Sequence, residues 1–155
     1  MTTAQKIKTG LTAGLIAAAL DISAAIIVFA FIYQLTTPIK VLQSVAAGAF
    51  GKEAYNGGWQ MALAGLGFHT FIALCFAFFY VWIYPAFSKI FSNPIIAGII
   101  YGCFVWTVMN IGLLKIVLGK TLTPKYILPN LIILILMVVL PIALVTNRFY
   151  KKNQV

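Results

Sequence analysis

Two ionisable residues stand inside apolar stretches, where such residues are expensive. Asp21 lies near the middle of the run from Gly10 to Leu35, and His69, the only histidine, lies well inside the run from Trp59 to Tyr84. A carboxylate at the midplane of a bilayer costs on the order of 3 kcal/mol on insertion scales. Asp21 is therefore expected to be protonated, paired, or turned toward the protein interior or a water-filled cavity. An imidazole is cheaper to bury. In hydrogen-bond contact the two would relieve each other's desolvation and share a proton that is mobile near neutral pH. The chemistry that follows is proton binding or cation coupling. The plainer alternative is a buried hydrogen bond that sets helix register, worth only about 0.6 kcal/mol on average in a membrane.

Asn110 and Asn130 lie toward the side where the long first loop emerges. With Asp21 and His69 they could outline a polar path from the midplane to that surface, joined by Thr70, Thr107 or Tyr101. The simpler and preferred expectation is that Asn130 caps a helix and Asn110 bonds across an interface.

Other chemistries are argued down by residue type and spacing. One histidine and two cysteines at membrane depth give no metal-ligand spacing, and one histidine cannot ligate a haem from both sides within one chain. Glu53 belongs to a loop, so no pair of carboxylates is available for hydrolysis. GxSxG, HExxH and a phosphate-binding glycine loop are absent. Ser23 is two residues from Asp21 and points elsewhere on the helix, which weakens a triad with His69. No cofactor is expected.

The elements that must position Asp21 and His69 are membrane spans. Of 155 residues, 63% are hydrophobic and 8% charged, and the mean hydropathy is +1.03, far outside the soluble range. A helix needs roughly 20 apolar residues to cross the hydrocarbon core. We read a single transmembrane domain over 1–155, all-α, with spans at about 10–35, 59–84, 94–117 and 127–145. Between the first two spans, Pro38 opens a short amphipathic helix over about 38–50, expected to lie in the interface. Its apolar face holds Val41, Leu42, Val45, Ala46 and Ala49, and its polar face Lys40, Gln43 and Ser44. Lys6 and Lys8 before the first run resemble a signal peptide, but the run is too long and carries Asp21, so it is read as a retained span.

Small residues indicate which faces meet. Gly10, Gly14, Ala17 and Ala18 share a stripe with Asp21, and Ala62, Gly65, Ala73 and Ala77 share one with His69. Gly98 and Gly102 repeat the spacing in the third span. Small stripes let transmembrane backbones approach closely, so both ionisable residues should face partner helices. Trp59 at one end of the second span, and Tyr80, Trp82 and Tyr84 at the other, fit two aromatic belts. Pro85 to Asn93 reads as a turn, Gly119 to Tyr126 as a polar loop with Lys120, Pro129 as a helix start and Pro141 as a kink. Cys75 and Cys103 fall inside spans as packing residues, not a disulfide.

The net charge of +9 resides at span ends and in short loops. It implies anionic lipid head groups as partners rather than nucleic acid, since no basic patch is interleaved with aromatics. With both termini inside, Lys6, Lys8, Lys89, Arg148, Lys151 and Lys152 face the cytoplasm, and Lys40, Lys52, Lys115, Lys120 and Lys125 the other side. That narrow excess favours cytoplasmic termini.

The run LQSVAAGAFGKEAYNGGWQMALAGLGFHTFIAL, followed by NPIIAGIIYGCFVWTVMN and a proline-containing last span, resembles a family of small four-span bacterial membrane proteins of unknown function. The matching positions are Gly57, Gly58, Gly67, His69, Ala97, Gly98, Tyr101 and Gly102. The resemblance implies the bacterial cytoplasmic membrane and no activity. Three functions stay open. One is a transport or proton-responsive protein using Asp21 and His69. The second is a structural or accessory subunit, self-associating or part of a larger membrane complex. The third is an enzyme on lipid or quinone, with tyrosines and His69 at a lipid-exposed cleft.

Overall fold

The first helix begins before its apolar run because Thr2 and Gln5 form a capping box. The Thr2 hydroxyl accepts from the Gln5 N–H at 3.3 Å, and the Gln5 side chain accepts from the Thr2 N–H at 2.7 Å. Donors that would otherwise be unpaired at the helix start are satisfied, so the polar leader becomes the first turns of the span. The computed structural model describes residues 1–117, 119 and 123–152. Helix α1 runs Thr3–Ile32, its end (Ile27–Ile32) in the wider π form. After it come α2 (Pro38–Phe50), a 3₁₀ turn (Lys52–Asn56) and α3 (Gly58–Ile90). Helix α4 (Pro94–Thr107) continues as a π-helix over Val108–Val117. Helix α5 (Pro124–Lys152) is π over Leu134–Val139. No strand occurs among the described residues. Four of these helices, α1, α3, α4 and α5, are long and apolar enough to cross a membrane. The protein is an all-α, four-helix, multi-pass membrane protein.

Two helices run through prolines that the sequence expectation placed at helix ends. Helix α3 carries through Pro85 to Ile90, leaving only residues 91–93 as the turn. The proline forfeits one backbone bond, but the helix beyond it is held by Phe87, which packs edge-on against Tyr80 at 6.2 Å. Helix α5 starts with Pro124 at its first position, so Pro129 and Asn130 lie inside the helix and Asn130 caps nothing. Pro141, expected to kink the last span, lies two residues after the π segment Leu134–Val139. Lacking an N–H, it cannot bond the carbonyl four residues back, and the helix widens just before it. Lys120, assigned to the preceding loop, lies outside the described residues.

Glycines set the helix pairs. α1 and α3 run antiparallel, with Gly10 against the Phe78 ring and Gly14 against Leu74 and Ala77. A Cβ on Gly14 would lie 3.0 Å from the Leu74 α-carbon. Gly98 and Gly102 let α5 approach α4, where added Cβ atoms would lie 3.0 Å from Ala143 and 3.1 Å from Ile135. Lipid tails are as apolar as these side chains, so such close van der Waals contact, rather than escape from water, favours helix association.

Helix α2 has the expected limits, with the Thr37 hydroxyl accepting from the Lys40 N–H at 3.4 Å and Gly51, at φ 72°, ending it. Its faces are rotated from the expectation. Gln43 is buried and Ala49 exposed. Gln43 is accommodated because its amide donates to the Gly58 carbonyl at 2.9 Å, fastening α2 to the start of α3.

Tyr80 and Tyr84 are not belt residues. They are buried, while Trp82 between them is 72% exposed. Positions 80 and 84 continue the face of Ala73 and Ala77, whereas 82 points the other way. Tyr80 packs on Tyr101 at 4.7 Å between ring centres, and the Tyr84 hydroxyl donates to Asn147 at 2.9 Å.

Candidate functional site

Asp21 and His69 meet across the α1–α3 interface. The small residues Ala17, Ala18 and Ala73 are buried around them, and His69 Nε2 lies 3.6 Å from Asp21 Oδ2. The same nitrogen lies 3.2 Å from the Ala18 carbonyl oxygen. A carbonyl can only accept, so this bond requires the proton on Nε2 and leaves Nδ1 as the acceptor of the neutral ring. Nδ1 has no hydrogen-bond partner among the described residues.

Asp21 is therefore poorly served. Among the described residues its carboxyl accepts no hydrogen bond, and its one ion-pair partner is the imidazole at 3.6 Å, already engaged with Ala18. The side chains of Asp21 and His69 are 23% and 16% exposed, and both line a half-open cavity of about 120 Å³. Its wall draws on every long element. Val45 comes from α2, Ile72, Ala73 and Phe76 from α3, Val105 and Met109 from α4, and Leu134 and Val138 from α5. Asp21 and His69 form its one polar end. The π segments of α4 and α5 supply Met109, Leu134 and Val138.

The two asparagines belong to a different cluster. Asn130 Oδ1 accepts from Trp106 Nε1 at 3.1 Å and from Asn110 Nδ2 at 3.4 Å, and Asn110 also donates to the Trp106 carbonyl at 3.1 Å. This group ties α4 to α5 and does not border the cavity. The residues expected to join the two clusters do not. Thr70 donates to Leu66, Thr107 to Cys103 and Tyr101 to Phe76, each to a main-chain carbonyl. The polar path from midplane to surface is thus interrupted by the apolar wall. Trp106 is the member that sequence reasoning missed. Its position four residues before Asn110, one helical turn away, was the available signal.

No metal cluster forms among the described residues. Cys75 and Cys103 are free thiols on the outer surface of the bundle. Comparison of the chain with family models, with curated proteins and with solved structures finds no match.

Proposed function

We propose that this is a small transport or proton-responsive membrane protein whose exchangeable proton is held by Asp21 beside His69. The observation that carries this reading is a carboxyl at the core of a membrane bundle that accepts no hydrogen bond among the described residues and faces a cavity. Left ionised and unpaired, such a group is costly; a proton or a cation removes the cost. Intramembrane carboxylates held this way serve proton relays and ion pathways more than packing. The reading includes a bacterial cytoplasmic membrane, both termini cytoplasmic, and anionic lipid head groups around the basic ends.

The test is proton uptake by reconstituted liposomes under an imposed potential. Native protein should conduct above empty liposomes, and Asp21→Asn and His69→Gln variants that keep the native melting behaviour should not. Native and empty liposomes leaking alike would end the proposal.

A second reading, a structural or accessory subunit, is favoured by the His69 bond to the Ala18 carbonyl, which fixes α1 against α3 without any proton transfer. Under it His69→Leu, which loses that donor, is destabilised, His69→Gln is not, and no flux is present to lose. The enzyme reading draws less support, since Tyr80, Tyr84 and Tyr101, three of the tyrosines it would use, are buried.

A further inference from the structure

We infer that the cavity beside Asp21 is a binding site for a small organic monocation, an alkylammonium ion whose amine pairs with the Asp21 carboxylate and whose alkyl part fills the apolar end. The inference deepens the proton-site reading and rests on it for the identity of the exchanging group.

Charge and donor count select the ligand. The cavity holds one carboxyl and one imidazole, and its remaining wall, from Val45 to Val138, carries no other ionisable group among the described residues. With His69 neutral and its Nε2 proton given to Ala18, an ionised Asp21 leaves the cavity with one uncompensated negative charge. An anion is repelled, and a neutral alcohol leaves that charge unpaired. A bare metal cation requires several oxygen ligands at short range, and here the only available ones are the two Asp21 oxygens and an Ala18 carbonyl that already accepts. An ammonium group requires only a few acceptors, and the two Asp21 oxygens, with about four lone-pair sites between them, can supply them.

Size and wall chemistry agree. A cavity of about 120 Å³ is somewhat smaller than the roughly 150 Å³ apolar cavity that holds a six-carbon ring, which suits a ligand of about five non-hydrogen atoms. Filling it with water instead would place most of those waters against Ile72, Val105, Leu134 and Val138, which offer no hydrogen bond. Phe76 and Met109 add a ring and a polarisable sulfur to the wall, surfaces compatible with a cation and its methylenes. When the carboxyl is protonated, the exchange balances simply. The ammonium ion enters, the carboxyl proton leaves, and the Asp21 site goes from neutral acid to carboxylate–ammonium pair.

The probe is n-butylammonium chloride, with n-butanol as its uncharged isostere, titrated calorimetrically into the detergent-solubilised protein while a pH indicator follows released protons. Saturable binding near one per chain is expected, at least 10-fold tighter than butanol. It should weaken at least 10-fold in Asp21→Asn, and also in Ile72→Trp, which fills the apolar end and leaves the carboxyl in place. Equal affinity for butanol and butylammonium overturns the inference, as does Asp21→Asn binding as tightly as native. The same preparations are assayed for proton flux in liposomes. Asp21-dependent flux without butylammonium binding removes the cation site and leaves the proton reading standing. Binding with neither flux nor proton release removes the proton reading, and with it the exchange.

Discussion

Gly65 touches the carbonyl of Leu42, and this contact between α3 and α2 leaves no room for a side chain. A Cβ at position 65 would overlap that oxygen and lie 3.2 Å from the Ala46 nitrogen. Because Val45, beside Ala46, lines the Asp21 cavity, the contact also sets where the cavity wall stands.

Gly65→Ala should therefore displace α2, at a cost of about 1–3 kcal/mol typical of overpacking. Gly67→Ala, facing open space on the same helix, should be neutral or stabilising by up to about 1 kcal/mol through helix propensity. Thermal melts in detergent separate the two. The labelling rate of Asp21 by an apolar carbodiimide gives a second readout, rising in Gly65→Ala as Val45 withdraws and unchanged in Gly67→Ala.

Two buried tyrosines on neighbouring helices should respond oppositely to loss of their hydroxyl. Tyr101 donates to the Phe76 carbonyl at 2.7 Å, and Tyr101→Phe should cost about 1 kcal/mol. The Tyr80 hydroxyl is buried with no partner in the described structure. Tyr80→Phe removes an unsatisfied group while keeping the ring on Tyr101, and should be neutral or stabilising. Equal losses in the two melts would contradict the assignment.

The asparagine cluster should matter for stability and not for proton movement. Asn130→Leu removes the acceptor for both Trp106 and Asn110, leaving an indole N–H unpaired, and should cost about 1–2 kcal/mol. Since neither asparagine borders the cavity, any Asp21-dependent flux should persist. The Trp106 environment change offers a fluorescence check that the substitution acted where intended. Loss of flux in a well-folded Asn130→Leu protein would restore the polar path that the structure interrupts.

Much of this arrangement is legible in residue types. Pro38 and Gly51 bracket α2 because one fixes φ at a helix start and the other adopts φ 72° beyond its end. The small-residue stripes identify Gly10, Gly14, Gly98 and Gly102 as contact positions because backbone approach demands small side chains whatever the partner. Burial of Tyr80 and Tyr84 is not legible from composition, since an aromatic with a polar tip suits an interface and a polar-tolerant core equally. The face of Gln43 is set by the Gly58 carbonyl, fifteen positions along the chain. Pro85 reads as a stop because the lost backbone bond is local, while the Phe87 contact that sustains the helix past it depends on ring packing against the core. The partner of Asp21 follows from matching depth and matching stripes. That its carboxyl accepts no hydrogen bond among the described residues needed the three-dimensional placement of Ala18, whose carbonyl accepts from the imidazole N–H instead.

That competition gives a final prediction about His69. The ring contributes stability through one donor, Nε2 to Ala18 at 3.2 Å, and a glutamine amide can supply a donor of similar reach. His69→Gln should therefore retain most of the native stability, whereas His69→Leu should lose on the order of 1 kcal/mol, since intramembrane side-chain hydrogen bonds are worth about 0.6 kcal/mol on average and up to about 1.7. A double-mutant cycle with Asp21→Asn measures how far the two residues act together. If Ala18 is the ring's principal partner, the Asp21–His69 coupling in melting free energy should stay near or below 0.6 kcal/mol. In the flux assay the same two substitutions should be strongly non-additive, each alone abolishing conduction. Large coupling in stability without any in flux would make the pair a structural clasp, with the cavity beside it a packing defect.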